Sequence, residues 1–226
     1  MRTLRHTEGS TTSFVIADVE PRFQDAVHSL FYQPVAAGFA KTYPGDTPNL
    51  DRIYRNFERY APEMVLQAAR LHPVEWKKSL LAFLDIVKDA QIDWWLTGSA
   101  ALAVRGIDVA PGDIDLVVDE AGAFKLAELL PDYLVEPLQP SRGWICDWFG
   151  RAFLHARLEW VGAVNASADS PEEGDFGPAA AKRLETVTWQ GKAIRVPPLE
   201  LQLAVSRRRG LTERVEKINS FMQKNG

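Results

Sequence analysis

The stretch Leu96 to Glu120, LTGSAALAVRGIDVAPGDIDLVVDE, places Gly98-Ser99 and Asp113-Ile114-Asp115 in one short segment, with thirteen residues between the two pairs. A glycine at the end of an apolar run lets a ligand approach the backbone closely. A helix starting there offers unpaired N–H groups and the positive end of its dipole, a geometry that binds phosphate. The same residues also make an ordinary strand-to-helix turn. Residues two apart in a strand project from one face, so Asp113 and Asp115 point the same way. Neighbouring carboxylates repel unless a cation or a proton lies between them. Their oxygens suit Mg²⁺, completed by water and substrate phosphates. Paired ions about 4 Å apart stabilise the attacking and leaving oxygens of a phosphoryl-type displacement. The plainer alternative is that Asp113 closes the Pro111-Gly112 turn and Asp115 is simply exposed.

A third acid lies further on. From Arg151 to Val161 the even positions Ala152, Leu154, Ala156, Leu158 and Trp160 are apolar, while His155, Arg157 and Glu159 occupy odd ones. That is the period-two pattern of a strand buried on one face. Paired beside the Asp113 strand, it would bring Glu159 to the two aspartates, with His155 and Arg157 on the same face near phosphate. A merely solvated face is the alternative. Among cations, Arg105, Arg142 and Arg207 are candidates to reach a nucleotide, and Arg207-Arg208-Arg209 is the densest basic cluster. Each also reads as surface. Lys182 and Arg183 follow an acidic loop. Trp144 or Trp148 is the better aromatic candidate for a pocket wall. The four histidines show no metal-ligand spacing, and Cys146 has no evident base partner.

These side chains need elements to hold them. Ile92 to Leu96 is apolar and β-prone and runs into Gly98. Ile114 to Val118 reads as a second strand, Gly122 to Leu130 as a helix, Tyr133 to Leu138 as a strand, and Arg151 to Val164 as one long strand. Thr186 to Val196 reads as a hairpin turning at Gln190-Gly191. Pro198 opens a helix to Arg209, Gly210 stops it, and Thr212 caps another to Gln223. Ahead of this lie Asn49 to Ala69 and Pro73 to Asp89, both with apolar residues at helical spacing. Pro21 suits the start of a helix through Phe31, and Ser13 to Val19 reads as a strand or the entry to that helix. The expected organisation is α+β: residues 1–90 a mainly helical region packing on the core, residues 91–226 a mixed sheet with flanking and C-terminal helices.

With 226 residues, 46% hydrophobic, the chain can bury a core. Its 26 basic and 30 acidic side chains give a net charge of −4, which provides no basic field for stable nucleic-acid binding. The single cysteine excludes an internal disulfide and suits a reducing, cytoplasmic setting. No apolar run approaches the length of a membrane span, so no membrane partner is expected.

Gly98-Ser99, Asp113-x-Asp115 and a distant acid in a strand resemble the polymerase-β-type nucleotidyltransferase superfamily. The similarity is greatest to its small bacterial branch of antibiotic and toxin-type nucleotidyltransferases. It extends over roughly 91–214 and includes Val196-Pro197-Pro198-Leu199-Glu200 ahead of a basic helix. The resemblance implies a nucleotidyltransferase-like core and Mg²⁺-dependent transfer of a nucleoside monophosphate from an NTP to a hydroxyl or amine. It implies that Asp113, Asp115 and Glu159 hold up to two Mg²⁺ ions, that Glu159 also takes the acceptor's proton, and that Gly98 and Ser99 contact the nucleotide phosphates. The acceptor stays open among small molecules, a tRNA end and a protein. A non-catalytic nucleotide-binding or toxin–antitoxin-type module is the alternative. A Glu159 lying more than about 10 Å from the aspartates would favour it, because shared metal ligation needs contacts near 2 Å.

Overall fold

The computed structural model describes residues 1–141 and 143–225, the last by its backbone only. The chain opens with a hairpin, β1 (Arg2–Glu8) and β2 (Thr11–Ala17). A 3₁₀ turn at Pro21–Phe23 leads into α1 (Gln24–Ser29), and a second hairpin follows, β3 (Gln33–Val35) and β4 (Gly38–Pro44). The four strands form one antiparallel sheet in the order β1-β2-β4-β3. Residues 1–90 are therefore not simply helical. The helix expected from Pro21 to Phe31 is present in shortened form, and the strand reading of Ser13 to Val19 corresponds to β2, but β1, β3 and β4 did not show in the apolar pattern. The reason is that β1 is a polar edge strand held by its seven-residue register with β2, with almost no apolar face of its own.

Next come α2 (Leu50–Ala68) and α3 (Trp76–Val87), close to the expected bounds. Ile53, Phe57, Ala61, Met64 and Val65 recur every three or four residues along α2 and are buried as a single stripe. In the C-terminal part β5 (Trp94–Thr97) turns directly into α4 (Gly98–Val104). Then follow β6 (Ile114–Val118), α5 (Glu120–Leu129), β7 (Leu134–Pro140), β8 (Cys146–Leu154) and β9 (Ala156–Val164). After a short α6 (Pro178–Ala181) come the hairpin β10 (Glu185–Trp189) and β11 (Lys192–Val196), then α7 (Leu199–Arg208) and α8 (Thr212–Asn225). Gln190 and Gly191, at φ 47° and 74°, make the expected hairpin turn, in which both central residues are left-handed.

The five strands of the second sheet run β5-β6-β9-β8-β7. Only the β6–β9 pairing is parallel, so the sheet is mixed and the fold is α+β. The N-terminal part packs on this sheet without a break in the core. Phe14, Tyr32 and Phe57 belong to the same buried cluster as Leu116, Leu158 and Trp160. A smaller cluster of Leu102, Ile107, Leu199, Leu203 and Ile218 ties α4 to α7 and α8. No described helix is long and apolar enough to cross a membrane.

Candidate active site

Strand register builds the site. In β6, Ile114, Leu116 and Val118 are buried while Asp115 faces the other way. Asp115 pairs with Thr97 on β5 and with Glu159 on β9. Asp113, two residues before Asp115, shares its face. Ligand oxygens of Asp113, Asp115 and Glu159 all lie within 4.8 Å of one another. The three acids read from the sequence thus converge.

One expected element differs. Arg151 to Val164 is a hairpin, not a single strand. Its tip is His155, a non-glycine residue at φ 64°, so His155 sits exposed at the turn and not on the carboxylate face. The alternation survives the turn because the pairing joins residues of equal parity: Leu154 with Ala156, Phe153 with Arg157, Arg151 with Glu159. Odd positions stay on one face in both strands, which is why the sequence shows no break. Arg157 does reach the site. Its Nη2 donates to Asp113 Oδ2, and its Nε forms an ion pair with Glu159 Oε1 at 3.0 Å, without the alignment of a hydrogen bond. Arg151, on the opposite strand, donates from Nε to the same Oε1 at 2.8 Å.

These cations divide the acids electrostatically. Burial, followed by repulsion from Asp113 and Glu159, pushes the Asp115 carboxyl well above its ordinary range. Burial also raises Asp113, against the opposing pull of Arg157. Burial acts on Glu159 in the same direction, but Arg151 and Arg157 outweigh it and hold this carboxyl below its usual range. Two acids therefore repel in the absence of a cation, and a third is kept ionised.

Gly98 stands at φ 64°, and a Cβ there would overlap Asp115 Oδ2, so both conformation and space call for glycine. Gln202 on α7 donates to the Gly98 carbonyl at 3.0 Å. Ser99, buried in the first turn of α4, sits at the edge of a cleft with Asp113.

The carboxylates lie between two cavities. One, of about 260 Å³, is bordered by Asp115 and Glu159 and walled by Trp144, Phe149 and Phe176. The other, of about 840 Å³, is bordered by Ser99 and Asp113 and presents Arg70, Arg157 and Lys217. Arg214 borders both. Trp144 is thus a pocket wall, whereas Trp148 donates to Glu120 and packs on Phe124.

The remaining cation candidates do not border either cavity among the described residues. Arg105 is held away from the site by Glu185 at 2.5 Å and the Pro197 carbonyl at 2.8 Å, anchoring the β10–β11 hairpin. Arg207 is exposed on α7 and borders neither cavity. Arg183 pairs with Glu173, and Arg142 lies outside the described residues. Arg209 and Arg214 are the arginines that border the smaller cavity. Gln202, Val205, Ser206 and Arg209 recur at helical spacing and all border the smaller cavity, and Arg207 is off that face. Asp175 also borders it, tied by its backbone carbonyl to the Thr97 hydroxyl at 3.0 Å. Gln202 and Asp175 carry no local signature, because a loop and a distant helix deliver them.

No family model matches the chain, and no curated protein matches it. Among solved structures it is similar to a Thermotoga maritima protein described as a nucleotidyltransferase, at 22% identity and a TM-score of 0.48, over 64% of this chain and 91% of that one. It is also similar to the lincosamide antibiotic adenylyltransferase LnuA with lincomycin bound, at 16% identity and a TM-score of 0.48, over 66% of this chain and 99% of that one. A third is ANT(2″)-Ia in complex with adenylyl-2″-tobramycin, at 15% identity and a TM-score of 0.44, over 66% and 90%. At these scores and identities the likenesses assign no substrate and no residue role.

Proposed function

We propose that this protein is a Mg²⁺-dependent nucleotidyltransferase that moves a nucleoside monophosphate from an NTP to a hydroxyl or amine of an acceptor. The observation that carries the reading is the convergence of Asp113, Asp115 and Glu159 within 4.8 Å. The separation that would favour a non-catalytic module is absent. The donor set fits Mg²⁺: three carboxylates, two of them raised by burial and mutual repulsion, form a site that a hard divalent cation relieves. When bound, the metal supplies charge neutralisation and orientation of the phosphate oxygens.

The chain's own residues do the rest. The larger cavity, with Arg70, Arg157, Arg214 and Lys217, takes the anionic phosphates. Gly98 and Ser99 bring backbone and hydroxyl to them at the start of α4. The aromatic walls of the smaller cavity suit a flat ring. The acceptor's oxygen or nitrogen bonds to the α-phosphorus, the bond from that phosphorus to the α,β-bridging oxygen breaks, pyrophosphate leaves, and the acceptor's proton passes to solvent. Glu159, held ionised by two guanidinium groups, is a good ligand and a weak base. We therefore assign it ligation rather than proton uptake. The lone buried Cys146 supports a reducing, cytoplasmic setting.

The test is transfer of label from α-labelled NTPs to pooled hydroxyl and amine acceptors, with and without Mg²⁺. Label is expected to move only with Mg²⁺ and to stop in Asp113→Ala. A wild-type protein that binds no NTP with Mg²⁺, with an Asp113→Ala variant binding every ligand identically, would overturn the reading.

A further inference from the structure

A row of polar side chains crosses the five-stranded sheet in direct register. Asp115 pairs with Glu159, Glu159 with Arg151, and Arg151 with Glu136, on β6, β9, β8 and β7. Arg151 and Glu136 are fully buried, a costly place for two charges without a partner for each. Each has charged partners, although among the described residues Arg151 Nη2 has no hydrogen-bond partner. Arg151 Nη1 donates to Glu136 Oε1 and to the Leu30 carbonyl at 2.9 Å, while its Nε reaches Glu159. Glu136 also accepts from Tyr32 at 3.2 Å and from Lys41 on β4 at 2.7 Å. The anchor is therefore built partly from the N-terminal region.

Its effect falls on one atom. Both cations that meet Glu159, Arg151 and Arg157, meet it at Oε1. Among the described residues, Oε2 receives no hydrogen bond. A glutamate has one more torsion than an aspartate, and a fixed Oε1 removes that freedom while leaving the second oxygen for ligation.

We propose that Arg151, locked by Glu136, is a positioning residue that holds Glu159 with Oε2 presented to a divalent cation shared with Asp113 and Asp115. The proposal rests on the metal-site reading above. It also gives the N-terminal region a role in that site, since Leu30, Tyr32 and Lys41 complete the lock on Glu136 and Arg151.

The probe is Mn²⁺ alone, titrated into the full chain and followed by the electron paramagnetic resonance of the free ion. Arg151→Met removes the clamp and leaves the buried Glu136 carboxylate with Lys41 and Tyr32 alone, which weakens the fold. Glu136→Gln combined with Arg151→Met removes one fully buried charge of each sign and leaves an amide oxygen for Tyr32 and for Lys41, whose side chain keeps a path to solvent, so a cooperative thermal transition is expected to survive. In that folded double variant Mn²⁺ affinity should fall about 10- to 100-fold. Arg151→Lys should not restore it, because an ammonium cannot span Glu136, Leu30 and Glu159 at once. A folded double variant that binds Mn²⁺ within about twofold of wild type overturns the clamp while leaving the metal site standing. A wild-type chain that binds no Mn²⁺ overturns the metal reading and the clamp together.

Discussion

Asp115 lies beside two other carboxylates. Its folded-state pKa is raised by burial, Asp113 and Glu159. The sign follows: this carboxyl favours folding most when protonated, below its unfolded pKa near 4, and that contribution is lost as pH rises through the folded value. Asp115→Asn should thus raise the stability of the metal-free protein at neutral pH by roughly 1–2 kcal/mol, with the gain shrinking toward pH 4. Thermal melts in a chelator at both pH values check this; a variant that melts lower than wild type at pH 7 contradicts it. Gly98→Ala should act oppositely, costing about 1–2 kcal/mol for its left-handed backbone and displacing the Asp115 carboxylate. Denaturant unfolding with a parallel Mn²⁺ titration reads both effects. At this scale the sequence was most informative. Gly98, Asp113 and Asp115 sit on one continuous strand–helix–strand segment, so local spacing alone places them. Arg151 did not show as a partner of Glu159, because their contact depends on a turn at His155 that leaves the alternation intact.

At the scale of elements, the ends of α4 and α7 and the start of α8 separate the arginines that structure the fold from those that face the cavities. Arg105→Ala should cost about 1 kcal/mol by removing the contacts of Arg105, at the end of α4, with Glu185 of β10 and the Pro197 carbonyl after β11, with NTP affinity unchanged. Arg214→Ala, bordering both cavities, should leave stability nearly unchanged and weaken NTP binding about tenfold or more. Paired melts and nucleotide titrations distinguish them, and the reverse pattern would contradict the site as drawn. Helices with a strong apolar stripe, such as α2, were legible, as was the β10–β11 hairpin with its Gln190-Gly191 turn. Of the N-terminal sheet only β2 was, through the strand reading of Ser13 to Val19. β1 is polar and β3 spans only three exposed residues, so their pairing comes from partners distant in the chain and not from a pattern of their own.

For the molecule as a whole, one buried cluster runs from Phe14 through Phe57 to Trp160, and the buried charges of Lys41, Glu136 and Arg151 cross the same boundary. The region before residue 45 should therefore not unfold on its own. Calorimetry is expected to show one transition, and a separate low-temperature transition would contradict that. Net charge, at −4, said little about the site, because the acids that matter are three among thirty. What matters is that sheet register collects them beside two cavities, one lined with cations and one with aromatic rings. The most direct measurement is a calorimetric titration of wild type and Asp113→Ala with a non-hydrolysable NTP analogue, with and without Mg²⁺. Wild type should bind the analogue only with Mg²⁺, and Asp113→Ala should lose that dependence and at least about tenfold in affinity. Identical binding by the two proteins, or no binding by either, would contradict a metal-dependent nucleotide site at Asp113, Asp115 and Glu159.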